Sequence, residues 1–298
     1  MTPIDVLGFG EGSIDYVNVV PALPCADTSK LRISSHFSSC GGQVATTMAA
    51  CAALGMRASY LGPVGTDDNG RRVLADLQWK GVDVSRAVLR EATTRFAVIL
   101  VEAATGHRYV LWNRDERLRL DPAEIRPELF DDARVLHVDG VDEAASIAAA
   151  TLARERGLIV TSDIDTPAGR TEELIAAVSV PIFSEPALSA LTGETEVERG
   201  LRSLRRIQEG LLLVTLGDRG SAALDADRFH QVPAPQVRAV DTTGAGDVFR
   251  AGVIYGLLHG WSSQELLRFA NAAGARSCMR RGAIAAVPTL SEVNAVLA

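Results

Sequence analysis

The sequence predicts an α/β fold: a doubly wound, mostly parallel sheet with helices on both faces and a small β-sheet lid. Two observations predict it. From Arg134 onward four apolar runs, RVLHVDG, LIVTSDID, VPIFSE and LLLVTLG, alternate with helical segments. Buried apolar strands separated by helices pack as a parallel sheet. In the first half, β-rich residues 13–39 and 93–114 interrupt the α/β units. They are too interleaved to form a contiguous second domain, so they are expected to project as a lid from one domain spanning residues 1–298.

The elements follow in order. IDVLGFG (residues 4–10) reads as a short buried strand, SIDYVNVV (13–20) is β-rich, and LRISSHFSS (31–39) alternates like a half-exposed strand. GGQVATTMAACAALG is a helix of small residues, opened by Gly41 and Gly42 and closed by Gly55. ASYLGPVG and DDNGRRVLADLQWKG form a second strand–helix unit. TRFAVILVEA (94–103) and HRYVLWN (107–113) form a hairpin. SAALDAD and RFHQVPA suggest another. Four strand-like residues, VRAV (237–240), then lead into TTGAGD and an apolar helical run to Gly260. Helices around 261–278 and 291–297 finish the chain.

A chain of 298 residues can bury a sizeable core. Its net charge is −7 and no Lys/Arg run is present, which argues against a nucleic-acid partner. Local dipoles can still hold a small anion. Cys25, Cys40, Cys51 and Cys278 form no CxxC pair and no metal-like spacing with the five histidines, so free thiols in a reducing compartment are expected. Cys40 precedes a helix start, where a thiol can be acidified, although an incidental thiol is the simpler reading. No leader-like N-terminus and no apolar run of roughly 18 residues is found. A cytoplasmic protein without a membrane partner is expected.

Two glycine motifs mislead. GFGEGS (8–13) lacks the third glycine of a dinucleotide fingerprint and precedes a strand rather than a helix, so an NAD-linked oxidoreductase is disfavoured. GTDDNGRR (65–72) has P-loop glycine spacing but Arg-Arg in place of Lys-Ser/Thr. DTTGAGD (241–247) carries more. Structurally it is a strand-to-helix turn, with Asp247 complementing the helix dipole. Functionally, the amides of Gly244, Ala245 and Gly246 at a helix N-terminus form an anion hole. Asp247 beside them is placed to take a hydroxyl proton during phosphoryl transfer. The helix terminus is expected to lower its pKa, giving a weak, ionised base.

DTTGAGDVF resembles the C-terminal signature of the ribokinase-like (PfkB-type) carbohydrate kinases. GGQVATTMAACAALGMRASYLGPVGTDDNG resembles their N-terminal signature, LLLVTLGDRGSA their nucleotide-side strand and turn, and FANAAGA the helix carrying an adenine-side Asn. The four matches occur in the family's order. The resemblance implies a kinase that uses ATP and Mg²⁺ on a sugar, with a monovalent cation as a further candidate cofactor. Asp247 matches the catalytic base and Gly244, Ala245 and Gly246 the anion hole. Asp15 matches the acid that receives sugar hydroxyls, and Gly41 and Gly42, followed by Gln43, the backbone edge that the sugar approaches. Thr215, Gly217, Gly220 and Asn271 match ATP-binding positions. The β-rich pieces match a lid that forms a homodimer interface in several relatives.

Departures bear on the substrate. Thr46 stands where the family often has an Asn, so that sugar contact must differ. SEPA (184–187) replaces the Asn-x-x-Glu that organises Mg²⁺, leaving Glu185 as a candidate metal residue. FSEP with a following LTG, together with Lys30, resembles the sulfofructose kinases, and Lys30 is then a candidate for an anionic substituent. HVDG (137–140) instead resembles the ketohexokinase branch. Asp163, with Asp165, ends a parallel strand and is a candidate on the sugar or metal side. His137 reads as a core histidine, whereas Arg108, Arg114 and Arg117 either line the lid mouth or solvate a hairpin. The rival readings are a sulfosugar or nucleoside kinase and a non-catalytic sugar-binding relative.

Overall fold

Val6, Leu7 and Phe9 are buried at the start of the chain, on a strand covered on both faces. The computed structural model describes residues 3–298; Met1 and Thr2, part of the expected 1–298 domain, lie outside the described residues. In chain order the strands begin β1 (Ile4–Phe9), β2 (Ser13–Val20), β3 (Ser35–Gly41), β4 (Ala58–Leu61), β5 (Pro63–Gly65), β6 (Val88–Arg90), β7 (Phe96–Glu102) and β8 (Arg108–Asn113). They continue β9 (Ala133–Asp139), β10 (Ile159–Ile164), β11 (Val180–Ser184), β12 (Leu212–Thr215), β13 (Ser221–Asp225) and β14 (Arg228–Val232). The helices are α1 (Gln43–Ala53), α2 (Asp68–Trp79), α3 (Glu143–Glu155), α4 (Thr171–Ala177), α5 (Glu185–Thr192), α6 (Val197–Ser203), α7 (Ala245–Leu258), α8 (Ser263–Ser277) and α9 (Leu290–Leu297).

Eight strands form the main sheet in the order β14-β13-β12-β11-β10-β9-β1-β4. The pairs from β4 to β12 are parallel, and β13 and β14 add an antiparallel meander. Side-chain alternation assigns the two faces. Val6 and Val135 pack with α1, α7 and α8, while Leu7, Phe9, Leu136 and Val138 pack beneath α3. Farther along, Leu213 meets α7 and α8, and Leu212 and Val214 lie with Leu188 of α5 and Leu201 of α6. Cover on both faces explains why these strands read as continuous apolar runs. The parallel strands deliver their C-terminal ends to one edge, where sites on such sheets assemble.

A second sheet runs β3-β2-β7-β8, with β2 parallel to β7 and the other pairs antiparallel. It departs from the main sheet through residues 10–12 and rejoins it through Gly41, just before α1. This placement fits the lid expected from residues 13–39 and 93–114. β5 and β6 form a separate two-stranded parallel sheet.

Three local expectations need correction. Residues 31–34 are not strand: β3 pairs with β2 from Gly41↔Ser13 to Ser35↔Val19, and β2 ends one residue later. Residues 237–240 are irregular, because the Val240 and Asp241 amides bond the Cys278 carbonyl rather than a neighbouring strand. Cys40 lies on β3, not at a helix start, and burial raises its thiol pKa instead of acidifying it. Among the described residues no helix is long and apolar enough to cross a membrane.

Candidate active site

The start of α1 is built around Gly42, whose φ of 96° suits glycine. A Cβ there would lie 2.6 Å from both the Glu11 carbonyl and the Gly12 Cα. Glycine thus lets the β1–β2 turn rest on α1, where the Ala45 amide donates to the Glu11 carbonyl at 3.2 Å. Asp15, on β2, faces Gly41: its Oδ2 is 3.4 Å from where a Gly41 Cβ would stand. Burial raises the Asp15 carboxyl above the ordinary aspartate value, with the Arg95 charge opposing. Gln43, Glu11, Arg95, Asp163 and Asp165 line a cleft of about 350 Å³ beside this edge. Glu11 is buried and ion-paired to Arg95 at 2.9 Å and Arg114 at 2.9 Å; Arg114 continues to Asp142 at 2.7 Å.

The N-terminus of α7 closes the other side. Gly244 caps it with φ 77°. Ala245 differs from the expected row of outward amides, because its N–H closes a turn onto the Thr242 carbonyl at 3.2 Å. Among the described residues the amides of Gly244, Gly246 and Asp247 have no hydrogen-bond partner. The anion hole thus comprises those three groups and skips Ala245.

Asp247 is half-buried, and its pKa departs upward, contrary to the expected lowering. Burial is the main cause, the Asp163 carboxylate adds to it, and Arg250 opposes it. Loss of hydration and a nearby like charge outweigh the roughly half-unit charge of a helix N-terminus. The result is a stronger base than the sequence suggested.

Beneath Asp247 lies a buried polar floor. Asp163, at the end of β10, is ion-paired to Arg250 of α7, and both are buried. Asp139, beside Asp163 in register, accepts from the Glu11 amide at 2.7 Å and the Val141 amide at 3.1 Å. Burial raises its carboxyl to about 7. His137 shares its Nδ1 with Thr161 Oγ1 at 2.8 Å, and burial lowers its pKa to about 3. The ring is a neutral core group near neutral pH, although its buried Nε2 finds no partner among the described residues.

A second cleft, of about 360 Å³, is lined by Thr215, Gly217, Gly220, Asn271 and Gly246, among others. Both volumes fall within the range of roughly 300–1,000 Å³ usual for small-molecule sites. Asn271 Nδ2 donates to the Val232 carbonyl at 2.9 Å, which holds the segment after β14 as one wall. Ala245, Gly246 and Phe249, from the start of α7, also line this cleft.

Three candidates stand apart. Lys30 is exposed on the β2–β3 connection and lines neither cleft. Thr46 is fully buried, with a Cγ2 3.2 Å from where a Gly244 Cβ would stand and a hydroxyl that lacks a partner among the described residues. It supports the α7 turn from below. Glu185, the first residue of α5, is ion-paired to Arg219. Among the described residues no group of three or more His, Cys, Asp or Glu could hold a metal.

Sequence reasoning passed over Glu11, Arg95 and Arg250. Glu11 was discarded with its decoy motif, whereas Arg250 left a usable signal as a lone charge in the apolar run VFRAGVIYGLL. Arg108 reaches from β8 to Asp241 at 3.1 Å and to Thr243 Oγ1 at 3.1 Å, joining the lid to the 241–247 turn. Among the described residues Arg117 pairs only with neighbouring Asp115, on the surface.

Comparison with known proteins identifies the family. Residues 4–290 match the pfkB family carbohydrate kinase domain. Fructokinase-1 of Oryza sativa subsp. japonica is 32% identical over 315 residues, covering 97% of this chain and 96% of that protein. An ATP-dependent ribose-1-phosphate kinase of Halopiger xanaduensis is 31% identical over 296 residues, covering 99% and 98%. The structure of Arabidopsis thaliana ribokinase complexed with ribose and ATP superposes with a TM-score of 0.86 at 23% identity, covering 100% and 99%. That last likeness concerns the fold.

Proposed function

The chain belongs to the pfkB family of carbohydrate kinases, phosphotransferases with an alcohol group as acceptor, and we propose that it transfers the γ-phosphoryl group of ATP to a hydroxyl of an uncharged sugar. One observation carries the reading: Asp247 and the free amides of Gly244, Gly246 and Asp247 share one helix turn, with Gly246 on the lining of one cleft and Asp163, whose charge acts on Asp247, on the lining of the other. In this reading ATP occupies the cleft of Thr215, Gly217, Gly220 and Asn271. The sugar lies over Gly41, Gly42 and Gln43, with Asp15 accepting from its hydroxyls.

The sugar oxygen attacks the γ-phosphorus as the bond to the bridging oxygen breaks and ADP leaves with that electron pair. Asp247 takes the hydroxyl proton, and its raised pKa suits the task. The free amides stabilise charge on the transferring group. Magnesium, when bound with ATP, would neutralise phosphate charge; Glu185 is ion-paired to Arg219 and no group of three acidic, His or Cys ligands stands among the described residues, so phosphate oxygens and water would supply most of its ligands. No step here depends on a monovalent ion.

The neutral substrate is supported by the lining of the cleft, whose cation, Arg95, is already ion-paired to Glu11, and by Lys30 lying outside it. A phosphosugar is the second reading, favoured by the ribose-1-phosphate kinase relative. Strand β8 exposes Tyr109, Val110, Leu111 and Trp112, an apolar edge that supports a homodimer through the lid, testable by light scattering.

The functional test is ADP release with fructose, ribose, ribose 1-phosphate, a sulfosugar and a nucleoside. Release with a neutral sugar supports the proposal, and release with only a charged sugar or a nucleoside replaces the substrate class. Silence with every compound, despite calorimetric sugar binding, establishes a non-catalytic relative.

A further inference from the structure

We propose that Arg250 is a catalytic cation that contacts the phosphoryl group in flight, at the partition between the two clefts. The proposal rests on the kinase reading above. From Val248 to Leu258, α7 carries no other charged residue. An arginine buried there is costly unless its charge is paired. Its pairing is incomplete: Nη2 binds Asp163, Nε is buried without a partner, and Nη1 makes no hydrogen bond among the described residues. Nη1 lies 2.7 Å from where a Gly246 Cβ would stand.

Helical side chains lean toward their helix N-terminus, so an arginine one turn beyond Asp247 covers the turn carrying the free amides. Asp163 lines the carboxylate cleft and Gly246 the nucleotide-side cleft. One guanidinium therefore touches a wall of each. Asp163 orients its plane, and Nη1 is left to donate to an oxygen of the transferring group, a role suited to a planar, permanently charged fork. The sugar-oxygen-to-phosphorus bond forms as the bond to ADP breaks, the electron pair leaves on ADP, and the proton goes to Asp247. Arg250 gives up no proton; it stabilises charge on the phosphoryl oxygens.

The alternative is that Arg250 only neutralises Asp163. Arg250→Met, Arg250→Lys and Arg250→Met/Asp163→Asn separate the two with the best sugar from the panel. For Arg250→Met we expect kcat to fall by about 10³-fold, as when comparable cations are removed from phosphoryl-transfer sites. MgADP affinity should hold, while affinity for MgADP with aluminium fluoride, measured by calorimetry, should fall at least tenfold. Arg250→Lys should recover part of both losses, and the double variant should stay slow. A double variant restored to wild-type kcat overturns the proposal, as does an unimpaired Arg250→Met. Should Arg250→Met fail to fold, Arg250→Lys and the double variant decide by the same criteria. An active wild type indifferent to these changes sinks this proposal alone, whereas a wild type inactive on every sugar sinks the kinase reading and this proposal with it.

Discussion

Replacing Gly244 with alanine adds one methyl group at the tightest point beneath the anion hole. The φ of 77° is left-handed, which costs a non-glycine residue roughly 1–2 kcal/mol. The new Cβ would lie 3.0 Å from Ala283 Cβ, 3.1 Å from Ala283 Cα and 3.2 Å from Thr46 Cγ2. Carbon contacts prefer about 3.5–4.0 Å. Relieving that crowding adds about 1–3 kcal/mol. The sum, about 2–5 kcal/mol, corresponds to a fall in Tm of roughly 3–8 °C in a chain of 298 residues. Calorimetric unfolding measures it, and Ala283→Gly probes one part, because removing the Ala283 methyl relieves the 3.0 Å contact but neither the contacts to Ala283 Cα and Thr46 Cγ2 nor the strained φ. In a double-mutant cycle the two changes should couple favourably by about 1 kcal/mol or more. The turn also aims the Gly246 and Asp247 amides, so a shift of a few tenths of an ångström should cost up to about tenfold in kcat, given that 1 Å can cost about a hundredfold. Wild-type stability of Gly244→Ala, or absence of coupling to Ala283, would refute the argument.

Two further outcomes are expected. Asp139 has a folded-state pKa of about 7, so the native state binds more protons than the unfolded chain between about pH 4 and 7. Its contribution to stability is fully present below about pH 4 and is lost as pH rises through 7. The cost of Asp139→Asn in urea unfolding should accordingly shrink by about 1–4 kcal/mol from pH 4.5 to 7.5, and a pH-independent cost would contradict it. Arg108→Ala removes a half-exposed ion pair, so stability should change by about 1 kcal/mol at most. The lid loses its tether to Asp241, so KM for the sugar should rise severalfold; an unchanged KM would remove Arg108 from the closing contact.

The sheet was legible because both faces of its strands are buried, which leaves long apolar runs, and because glycines mark the ends of α1. Strand ends were less so: residues 31–34 have the right alternation, but β2 is too short to pair with them. At the site, residue types and spacing located the 241–247 turn and both glycine edges. They gave the wrong direction for the Asp247 pKa, because Asp163 is 84 residues away in sequence and its nearness is a property of the fold. Thr46 looked like a sugar contact because helical spacing does not say which side of the α7 turn a residue occupies. Lys30 shows the converse: a basic residue on a lid segment need not face the cleft.

The central claim is that Asp247 accepts the sugar hydroxyl proton as phosphate leaves ATP. Its most direct measurement is kcat for wild type and Asp247→Asn with the best sugar, following the phosphate monoester by ³¹P NMR, with unfolding checked in parallel. The expected result is a folded variant whose sugar phosphate forms at least about a hundredfold more slowly. A folded Asp247→Asn enzyme that makes sugar phosphate at close to the wild-type rate would contradict the claim.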